Sequence, residues 1–329
     1  MKPELIDFVD KFKEKRILII GDMIADVYLE GDISRISREA PVLVLIEKNE
    51  KTVPGGAANV VNNVATLGGK AFAVGILGQD KGALNLKHIL DENGVDTNGM
   101  FCDEKRKTVT KTRVIAGGRA TVSQQVVRID RECNMPLSAV YEEKLLKYIK
   151  DIMPKIQGVV MSDYGSGTIT PKIKELILKM TKEYNIPSIV DSRYDIFNFV
   201  GTDYVKQNDA ELSRAVGVRI YSEETLYTAA HEFLIKMKAK GILITRGEKG
   251  MTLFEDNGDV HNIPVSDKSE VFDVSGAGDT CVAAFITALA AGAQPVQATE
   301  ISNFASGIAV RKMGTATVSD EELINVLRR

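Results

Sequence analysis

The chain has 329 residues, of which 44% are hydrophobic and 26% charged, a composition typical of a globular protein with a sizeable core. Its 42 basic and 45 acidic residues give a net charge of −3, so no global field favours nucleic acid or an anionic membrane. The three cysteines lie far apart without a CxxC pair, which argues against a zinc site or a disulfide framework. No apolar run has the length of a membrane span or a signal peptide, so we expect a cytoplasmic protein without membrane or nucleic-acid partners.

Apolar runs alternate along the chain with segments of helical periodicity. The predicted helices cover residues 4–15, 55–67, 82–93, 171–184, 209–216, 222–239, 277–291 and 296–312, and the predicted strands cover 16–22, 71–78, 158–163, 188–192 and 241–247. Strands that alternate with helices indicate βαβ units. The expected fold is therefore a single α/β domain over residues 1–329, with a doubly wound, mostly parallel sheet flanked by helices.

Two stretches depart from this alternation and show the period of two that is typical of strands. They lie within residues 27–53 and 107–130, and Gly117-Gly118 predicts a hairpin turn in the second stretch. We expect antiparallel strands with one exposed face, which form a small sheet beside the main one. Such a sheet can serve as a lid over a site, as a dimer surface, or as both.

The most informative segment for chemistry is Asp273-Val-Ser-Gly-Ala-Gly-Asp279, which precedes an apolar helix. Backbone N–H groups at Gly276, Ala277 and Gly278 can stabilise the charge of a phosphate at the start of that helix. Asp279 can accept the proton of a hydroxyl that attacks a γ-phosphate. From the spacing alone, a plain helix cap is an equally good interpretation of Asp279. No Gly-x-x-x-x-Gly-Lys-Ser/Thr run exists, which excludes a P-loop kinase.

This segment resembles a signature of the ribokinase (PfkB) family of carbohydrate kinases. The other family signature, a glycine pair near the N-terminus, is matched by Gly55-Gly56-Ala-Ala-Asn59. Further matches follow in the family's order across residues 16–319, namely Gly21-Asp22, Asn208-Asp-Ala-Glu211, Thr245-Arg246-Gly247-Glu-Lys-Gly250 and Asn303. The resemblance implies a ribokinase-like fold and an ATP-dependent sugar kinase that uses Mg²⁺, with Asp279 as the general base.

The resemblance also assigns binding residues. It implies a sugar site at Asp22, Gly55, Gly56 and Asn59, and Asp26, which follows Asp22 closely, is a candidate for a second sugar contact. It implies a nucleotide site at Asn208, Glu211, Thr245, Arg246, Gly247, Gly250 and Asn303, with Glu211 acting on Mg²⁺ through water. Family members often bind a monovalent cation, and Asp273 and Ser275 are the candidates for K⁺. From the residues alone, Asp26 could equally cap a turn, and Arg246 could equally pair with a surface acid.

One branch of the family is more similar than the others. Residues 31–42 (GDISRISREAPV), 54–60, 162–164 and 314–319 resemble the kinase domain of bifunctional heptose 7-phosphate kinase/ADP-heptose synthases. That resemblance implies phosphorylation of D-glycero-D-manno-heptose 7-phosphate at its anomeric hydroxyl, and it adds Asp163 to the substrate site. The branch's Ala-Lys-Gly after residue 164 is replaced by Gly165-Ser166-Gly167, and its Asp-Pro-Lys by Asp191-Ser192-Arg193. Candidates to replace the two lysines are Lys111, Arg113, Arg128 and Arg193, and for the first three a solvated strand face is the alternative.

Three other functions stay open. The first is another PfkB-family kinase that acts on ribose, fructose, a nucleoside or a sugar phosphate. The second is a catalytically silent sensor of sugar or nucleotide, which would bind ligand without releasing ADP. The third is a dinucleotide-dependent oxidoreductase, against which the absence of Gly-x-Gly-x-x-Gly after the first strand argues. A homodimer formed through the lid is also an expectation.

Overall fold

The structure is a computed structural model that describes residues 2–118, 121–133, 135–266 and 271–328. Its strands are β1 (Arg16–Gly21), β2 (Met23–Ile36), β3 (Leu43–Gly56), β4 (Lys70–Gly78), β5 (Asp96–Asp103), β6 (Thr110–Gly118), β7 (Thr121–Arg131), β8 (Gly158–Asp163), β9 (Ser188–Ser192), β10 (Tyr204–Asn208), β11 (Gly241–Thr245), β12 (Met251–Glu255) and β13 (Val260–Ile263). Its helices are α1 (Ile6–Val9), α2 (Ala57–Thr66), α3 (Lys81–Glu92), α4 (Ala139–Ile152), α5 (Pro171–Glu183), α6 (Asp209–Val216), α7 (Glu223–Met237), α8 (Ala277–Ala290), α9 (Pro295–Ala309) and α10 (Asp320–Arg328).

The main sheet has the strand order β13-β12-β11-β10-β9-β8-β1-β4-β5 within the described residues. All its pairs are parallel except those of β12 and β13, which extend one edge in antiparallel fashion. The chain moves from β1 towards β5 and later from β8 towards β11, so the direction reverses between β1 and β8. Ligands of open α/β sheets bind at the carboxyl ends of the strands at such a switch point. The doubly wound sheet is confirmed.

Helices cover both faces of the main sheet. One face packs on α2, α3, α8, α9 and α10, through buried side chains such as Val61, Leu86 and Phe285. The other packs on α4, α5, α6 and α7, through side chains such as Ile149, Ile177 and Phe233. A parallel sheet that is buried on both faces needs continuous apolar strands, and residues 17–20 of β1 are fully buried. Among the described residues, no helix is long and apolar enough to cross a membrane.

The small sheet has the order β3-β2-β6-β7 and grows out of the first βαβ unit. Only Asp22 separates β1 from β2, and β3 leads without a gap into α2. The β2–β3 and β6–β7 pairs are antiparallel as expected, but β2 and β6, which join the two hairpins, are parallel. The expectation of an entirely antiparallel sheet was therefore wrong, because alternation within a strand does not determine how two separate hairpins pair.

The outer half of this small sheet is exposed on both faces. Val127, Arg128 and Ile129 follow one another in β7 in regular register with β6, so they alternate between the two faces, yet all three are exposed. The predicted single exposed face was wrong here, since the strands extend beyond the helices that could cover them. The predicted turn at Gly117-Gly118 was wrong, because both glycines belong to β6. Residues 119–120 lie outside the described residues.

Other differences from the predicted elements lie at the periphery. Residues 4–15 form short helical turns and not one helix, because hydrogen bonds such as Lys11 N–H to Phe8 O span three residues and not four. Their apolar spacing still serves the core, since Leu5, Val9 and Phe12 are buried. Six elements were not predicted, namely α4, α10, β5, β10, β12 and β13.

Candidate active site

The switch point between β1 and β8 is closed by the carboxylate of Asp22. Its oxygens accept hydrogen bonds from the backbone N–H groups of Tyr164 (2.8 Å), Ser166 (2.9 Å) and Thr168 (3.3 Å). The side chain is buried, and three donors use much of its accepting capacity. Asp22 thus fixes the backbone of the loop after β8. The predicted binding of sugar by Asp22 stays a prediction.

Asp279 lies in the first turn of α8, with the glycine-containing turn directly before it. Its carboxylate accepts a hydrogen bond from the amide of Asn59 (2.8 Å) and another from the hydroxyl of Tyr164 (2.8 Å). Burial raises the pKa of Asp279 to about 6, although both hydrogen bonds oppose this rise. A carboxylate with this pKa is ionised at neutral pH and is basic enough to accept a hydroxyl proton in a transition state.

Asn59 is held in place by a buried chain of hydrogen bonds from α2 to α8. Asn63 donates to Asn59 Oδ1 at 3.1 Å, and Thr280 donates to Asn63 Oδ1 at 3.0 Å. Gly276 has φ +79°, and a Cβ there would lie 2.6 Å from the amide nitrogen of Asn59. Asn59 was predicted to bind sugar. The structure shows it orienting the carboxylate of Asp279.

Asp26 occupies the space that the glycine pair leaves open. A Cβ on Gly55 would lie 2.6 Å from Asp26 Oδ2, and Gly56 has φ +55°, which disfavours any side chain. The buried Asp26 Oδ1 forms an ion pair with Arg113 Nη1 of β6 at 2.9 Å, but neither atom has a well-aligned hydrogen bond. Buried polar atoms without partners are uncommon in native proteins. The ion pair thus leaves hydrogen-bonding capacity on Asp26 and Arg113 that hydroxyls of a ligand can use.

A cavity of about 980 Å³ extends from Asp279 along the carboxyl edge of the sheet. It is lined by most of the predicted nucleotide-binding residues and by the turn before α8, namely Asn208, Glu211, Thr245, Gly247, Gly250, Asn303, Gly276, Ala277, Gly278 and Asp279. Its volume suits a ligand of nucleotide size. Its wall also contains the apolar residues Val265, Val271 and Val310, which suit a planar base.

Asn208 and Glu211 form a reciprocal cap on α6. The Asn208 side chain accepts from the Glu211 N–H at 2.7 Å, and Glu211 Oε2 accepts from the Asn208 N–H at 2.8 Å. Lys206 lies beside them, with its ammonium 3.0 Å from Asp191 Oδ2 and 4.0 Å from Glu211 Oε2. Burial lowers the pKa of Lys206, but the charges of the two carboxylates outweigh burial and raise it above its usual range.

Lys206 also lies next to the glycine turn before α8. A Cβ on Gly278 would lie only 2.8 Å from Lys206 Nζ, so the missing side chain lets a buried positive charge reach the turn. For a divalent ion, Asp191 and Glu211 offer the oxygen ligands that Mg²⁺ prefers, and Asp191 Oδ1 lacks a hydrogen bond. These residues fit a metal held partly through water.

Arg246 does not line the cavity, although the adjacent Thr245 and Gly247 do. Its guanidinium pairs with Glu223 at the start of α7 and donates to Thr252 Oγ1 at 3.2 Å, outside the described cavity lining. The surface-acid alternative matches this arrangement. We expect Arg246→Ala to change the KM for ATP by less than about twofold and to lower the free energy of unfolding by about 1 kcal/mol. Steady-state kinetics and thermal unfolding measure both, and a tenfold rise in KM would contradict this placement.

The candidate K⁺ ligands lie in a loop next to the turn. Asp273 accepts from the Ser275 N–H at 2.8 Å and from the Gly314 N–H at 3.0 Å, so it joins the loops before α8 and after α9. Burial raises the pKa of Asp273, but these hydrogen bonds outweigh it and lower the pKa overall. The oxygen-rich loop is compatible with a monovalent cation, and K⁺ binding stays a prediction.

The remaining predicted substrate residues have unequal surroundings. Asp163 accepts from Ser192 Oγ at 2.6 Å and from the Gly165 N–H at 3.1 Å, which fixes the loop after β8. Arg128 is exposed and paired with Asp130 at 2.9 Å. Lys111 reaches from β6 to the ring of Tyr164, with its ammonium 5.3 Å from the ring centroid. Of these three, only Lys111 approaches the site around Asp279.

The fold and this site define a class of enzyme. The sequence profile of the pfkB family carbohydrate kinases matches residues 14–322, so the chain belongs to that family. It is a phosphotransferase that acts on a sugar hydroxyl, as the sequence signatures indicated.

The resemblance to one branch is also confirmed. Two curated relatives are each called bifunctional protein HldE. The protein from Geobacter metallireducens is 40% identical over 308 residues, which are 93% of this chain and 62% of the relative. The protein from Desulfatibacillum aliphaticivorans is 39% identical over 316 residues, 96% of this chain and 63% of the relative. This chain therefore spans less than two thirds of their length.

Solved structures confirm the ribokinase-like fold. Arabidopsis thaliana ribokinase complexed with ribose and ATP superposes with a TM-score of 0.74 at 21% identity, over 96% of this chain and 99% of that chain. Escherichia coli phosphofructokinase-2 in complex with substrates and products gives 0.75 at 21% identity, over 95% and 98%.

Sequence reasoning missed three residues that the structure brings to the site. Tyr164 directly follows β8, and Asp191 lies near the carboxyl end of β9. Polar side chains at the carboxyl ends of such strands reach ligands. Lys206 had a clear signal, because it is a charged residue in the otherwise uncharged strand β10. A lysine near the carboxyl end of a buried strand needs a carboxylate or a ligand as partner.

Proposed function

We propose that this protein transfers the γ-phosphoryl group of ATP to the anomeric hydroxyl of D-glycero-D-manno-heptose 7-phosphate. The observation that carries the proposal is the position of Asp279, a buried carboxylate between the glycine turn of the large cavity and the lid residues. The heptose assignment is supported by residues 31–42, which resemble the heptose kinases, and by the relatives called HldE.

In the proposed reaction, ATP lies in the cavity with its γ-phosphate at residues 276–278. Asp279 accepts the proton of the sugar hydroxyl as its oxygen attacks phosphorus, and ADP leaves. The backbone N–H groups of the turn and the ammonium of Lys206 stabilise the charge on the transferring group. A divalent metal at Asp191 and Glu211 would neutralise phosphate charge when bound. The lid sheet, with Asp26 and Arg113, binds the sugar and excludes water.

Turnover tests this proposal directly. Coupled ADP release is measured with Mg²⁺ and K⁺ against heptose 7-phosphate, the unphosphorylated heptose, ribose, fructose and fructose 6-phosphate. We expect the highest kcat/KM with heptose 7-phosphate, and phosphorus NMR should identify an anomeric phosphate in the product. Preference for an unphosphorylated sugar would reject the heptose 7-phosphate assignment and keep the family. Ligand binding without ADP release would identify a sensor.

The lid supports one further proposal, a homodimer. Ile36, Ile46 and Ile129 of the small sheet are each about 60% exposed or more. A second copy that packs on this sheet would bury them, and the oligomeric state in solution decides the question.

A further inference from the structure

The carboxylate of Asp279 is held by two donors that come from opposite sides of the switch point. Asn59 of α2, in the first βαβ unit, donates to Oδ2, whereas Tyr164, directly after β8, donates to Oδ1. Each carboxylate oxygen thus has one donor of its own. Because hydrogen bonds are directional, two donors on different oxygens fix the rotation of a carboxylate about its Cβ–Cγ bond more firmly than one donor does.

Tyr164 is itself anchored in the site. Its backbone N–H donates to Asp22 Oδ2 at 2.8 Å, and the guanidinium carbon of Arg193 lies 4.5 Å from the centroid of its ring. Burial raises the pKa of Tyr164 well above its ordinary value, and the charge of Asp279 raises it further. The phenol therefore keeps its proton at neutral pH. In this pair it is the donor, and it cannot serve as the base in place of Asp279.

The hydroxyl of Tyr164 affects both the orientation and the basicity of Asp279. Burial is the main cause of the raised pKa of Asp279, and the hydrogen bonds from Asn59 and Tyr164 oppose that rise. Loss of one donor should therefore make the carboxylate more basic but less well oriented. Charged groups also approach this carboxylate or its neighbour Gly278 from the adjacent strands, namely Asp191, Arg193 and Lys206.

We propose that Tyr164 is a positioning residue, which acts through Asp279 by directing its carboxylate at the hydroxyl of the acceptor. This inference rests on the proposed role of Asp279 as the base, but it holds for any sugar that the enzyme phosphorylates. The proton of the attacking hydroxyl passes to Asp279 while the new O–P bond forms and the bond to ADP breaks, so Tyr164 keeps its own proton. Such a transfer requires a short, aligned contact, and a rotated carboxylate loses it.

Tyr164→Phe tests the proposal, because it removes one oxygen and keeps the aromatic ring. At pH values above the pKa of the base, we expect kcat to fall roughly 10- to 30-fold on every acceptor that the enzyme uses. The KM for ATP should change less than about threefold. The acid limb of the kcat/KM profile should move towards neutral pH, because the ionised carboxylate has lost a donor. A purely structural role would lower stability and leave this limb in place.

Tyr148→Phe is the matched control. Tyr148 of α4 also donates its hydroxyl to a carboxylate, Asp96 Oδ1 at 3.1 Å, but it lies outside the described lining of the large cavity. This variant should keep the kcat, the KM values and the acid limb of the wild-type enzyme.

Carbon NMR of the side-chain carboxyl of Asp279 gives a readout that needs no turnover. The resonance is identified by its absence in Asp279→Asn. Its titration midpoint should lie near the pKa of about 6 in the wild-type protein and higher in Tyr164→Phe. An unchanged midpoint would show that the hydroxyl of Tyr164 does not hold this carboxylate.

The outcomes distinguish this inference from the proposed function. If the kcat of Tyr164→Phe stays within about twofold and its acid limb does not move, Asn59 alone holds the base, so the inference is wrong and the function stands. If activity is lost only through the KM for the sugar, Tyr164 binds the acceptor and the positioning role is wrong. If Asp279→Asn keeps wild-type activity, both proposals are wrong. The expected pattern on a sugar other than heptose 7-phosphate would support the inference and reject the heptose assignment.

Discussion

Replacement of Asp279 by Asn should lower kcat by about 10³-fold and change the KM values for sugar and ATP little. General base catalysis typically contributes 10²- to 10⁴-fold, and the amide keeps the shape of the side chain but cannot take a proton. Asn59 donates to one carboxylate oxygen of Asp279 and Tyr164 donates to the other, each at 2.8 Å. Because an amide has only one oxygen, it can accept only one of these two hydrogen bonds. Steady-state ADP release with saturating substrates measures the effect.

The pH profile is the control for this interpretation. With a pKa of about 6, Asp279 loses its ionised form below that pH. The wild-type kcat/KM should therefore fall about tenfold per pH unit on the acid side, and the residual activity of Asp279→Asn should lack this limb. An unchanged limb in the variant, or a loss of only a fewfold in kcat, would assign the base elsewhere.

The second large effect is expected at the glycine turn. In Gly276→Ala the new Cβ lies 2.6 Å from Asn59 Nδ2 and 3.4 Å from Thr315 Cα, at a φ of +79° that L-residues rarely adopt. The turn must shift, which misaligns its N–H groups and disturbs the donor to Asp279. Loss of one such anion-stabilising donor typically lowers kcat 10²- to 10³-fold, and we expect a loss of about 10².

Gly292→Ala provides the matched control, because it lies just after the same helix. Gly292 has φ +95°, and a Cβ there meets nothing within 4 Å. Both variants should lose about 1 kcal/mol of stability through backbone strain, but only Gly276→Ala should lose activity. Kinetics and thermal unfolding of the two variants separate the contributions. Equal kcat values would show that the turn tolerates displacement and does not stabilise the transferring group.

The sequence predicted the parts of this molecule that depend on local pattern. Strands of continuous apolar residues and helices between them were enough for the doubly wound sheet, and the Asp273–Asp279 segment located the turn before α8. The parallel pairing of β2 with β6 was missed, because no periodicity encodes which distant hairpins meet. Short peripheral elements such as β13 carry too few residues for a clear pattern.

The directions in which individual side chains point could not be predicted from the sequence either. Asp22 and Asp26 are four residues apart, between β1 and β2 and within β2, and both were predicted to bind sugar. In the structure Asp22 faces the loop after β8, whereas Asp26 faces Gly55 and Arg113. Likewise Arg246 turns to Glu223, away from the cavity that Thr245 and Gly247 line. Such choices depend on partners that are remote in the chain.

The burial of Asp279 has a consequence for the stability of the folded protein. An aspartate in an unfolded chain has a pKa of about 3.9, and that of Asp279 in the fold is about 6. Since the folded state binds its proton more tightly, ionisation favours unfolding. The loss of stability is absent below pH about 4, grows as pH rises, and is complete above pH about 6, at about 3 kcal/mol. For a domain whose net stability is on the order of 5–15 kcal/mol, this is a substantial cost, and it agrees with the proposed role of Asp279 as a base, which a neutral side chain could not fill.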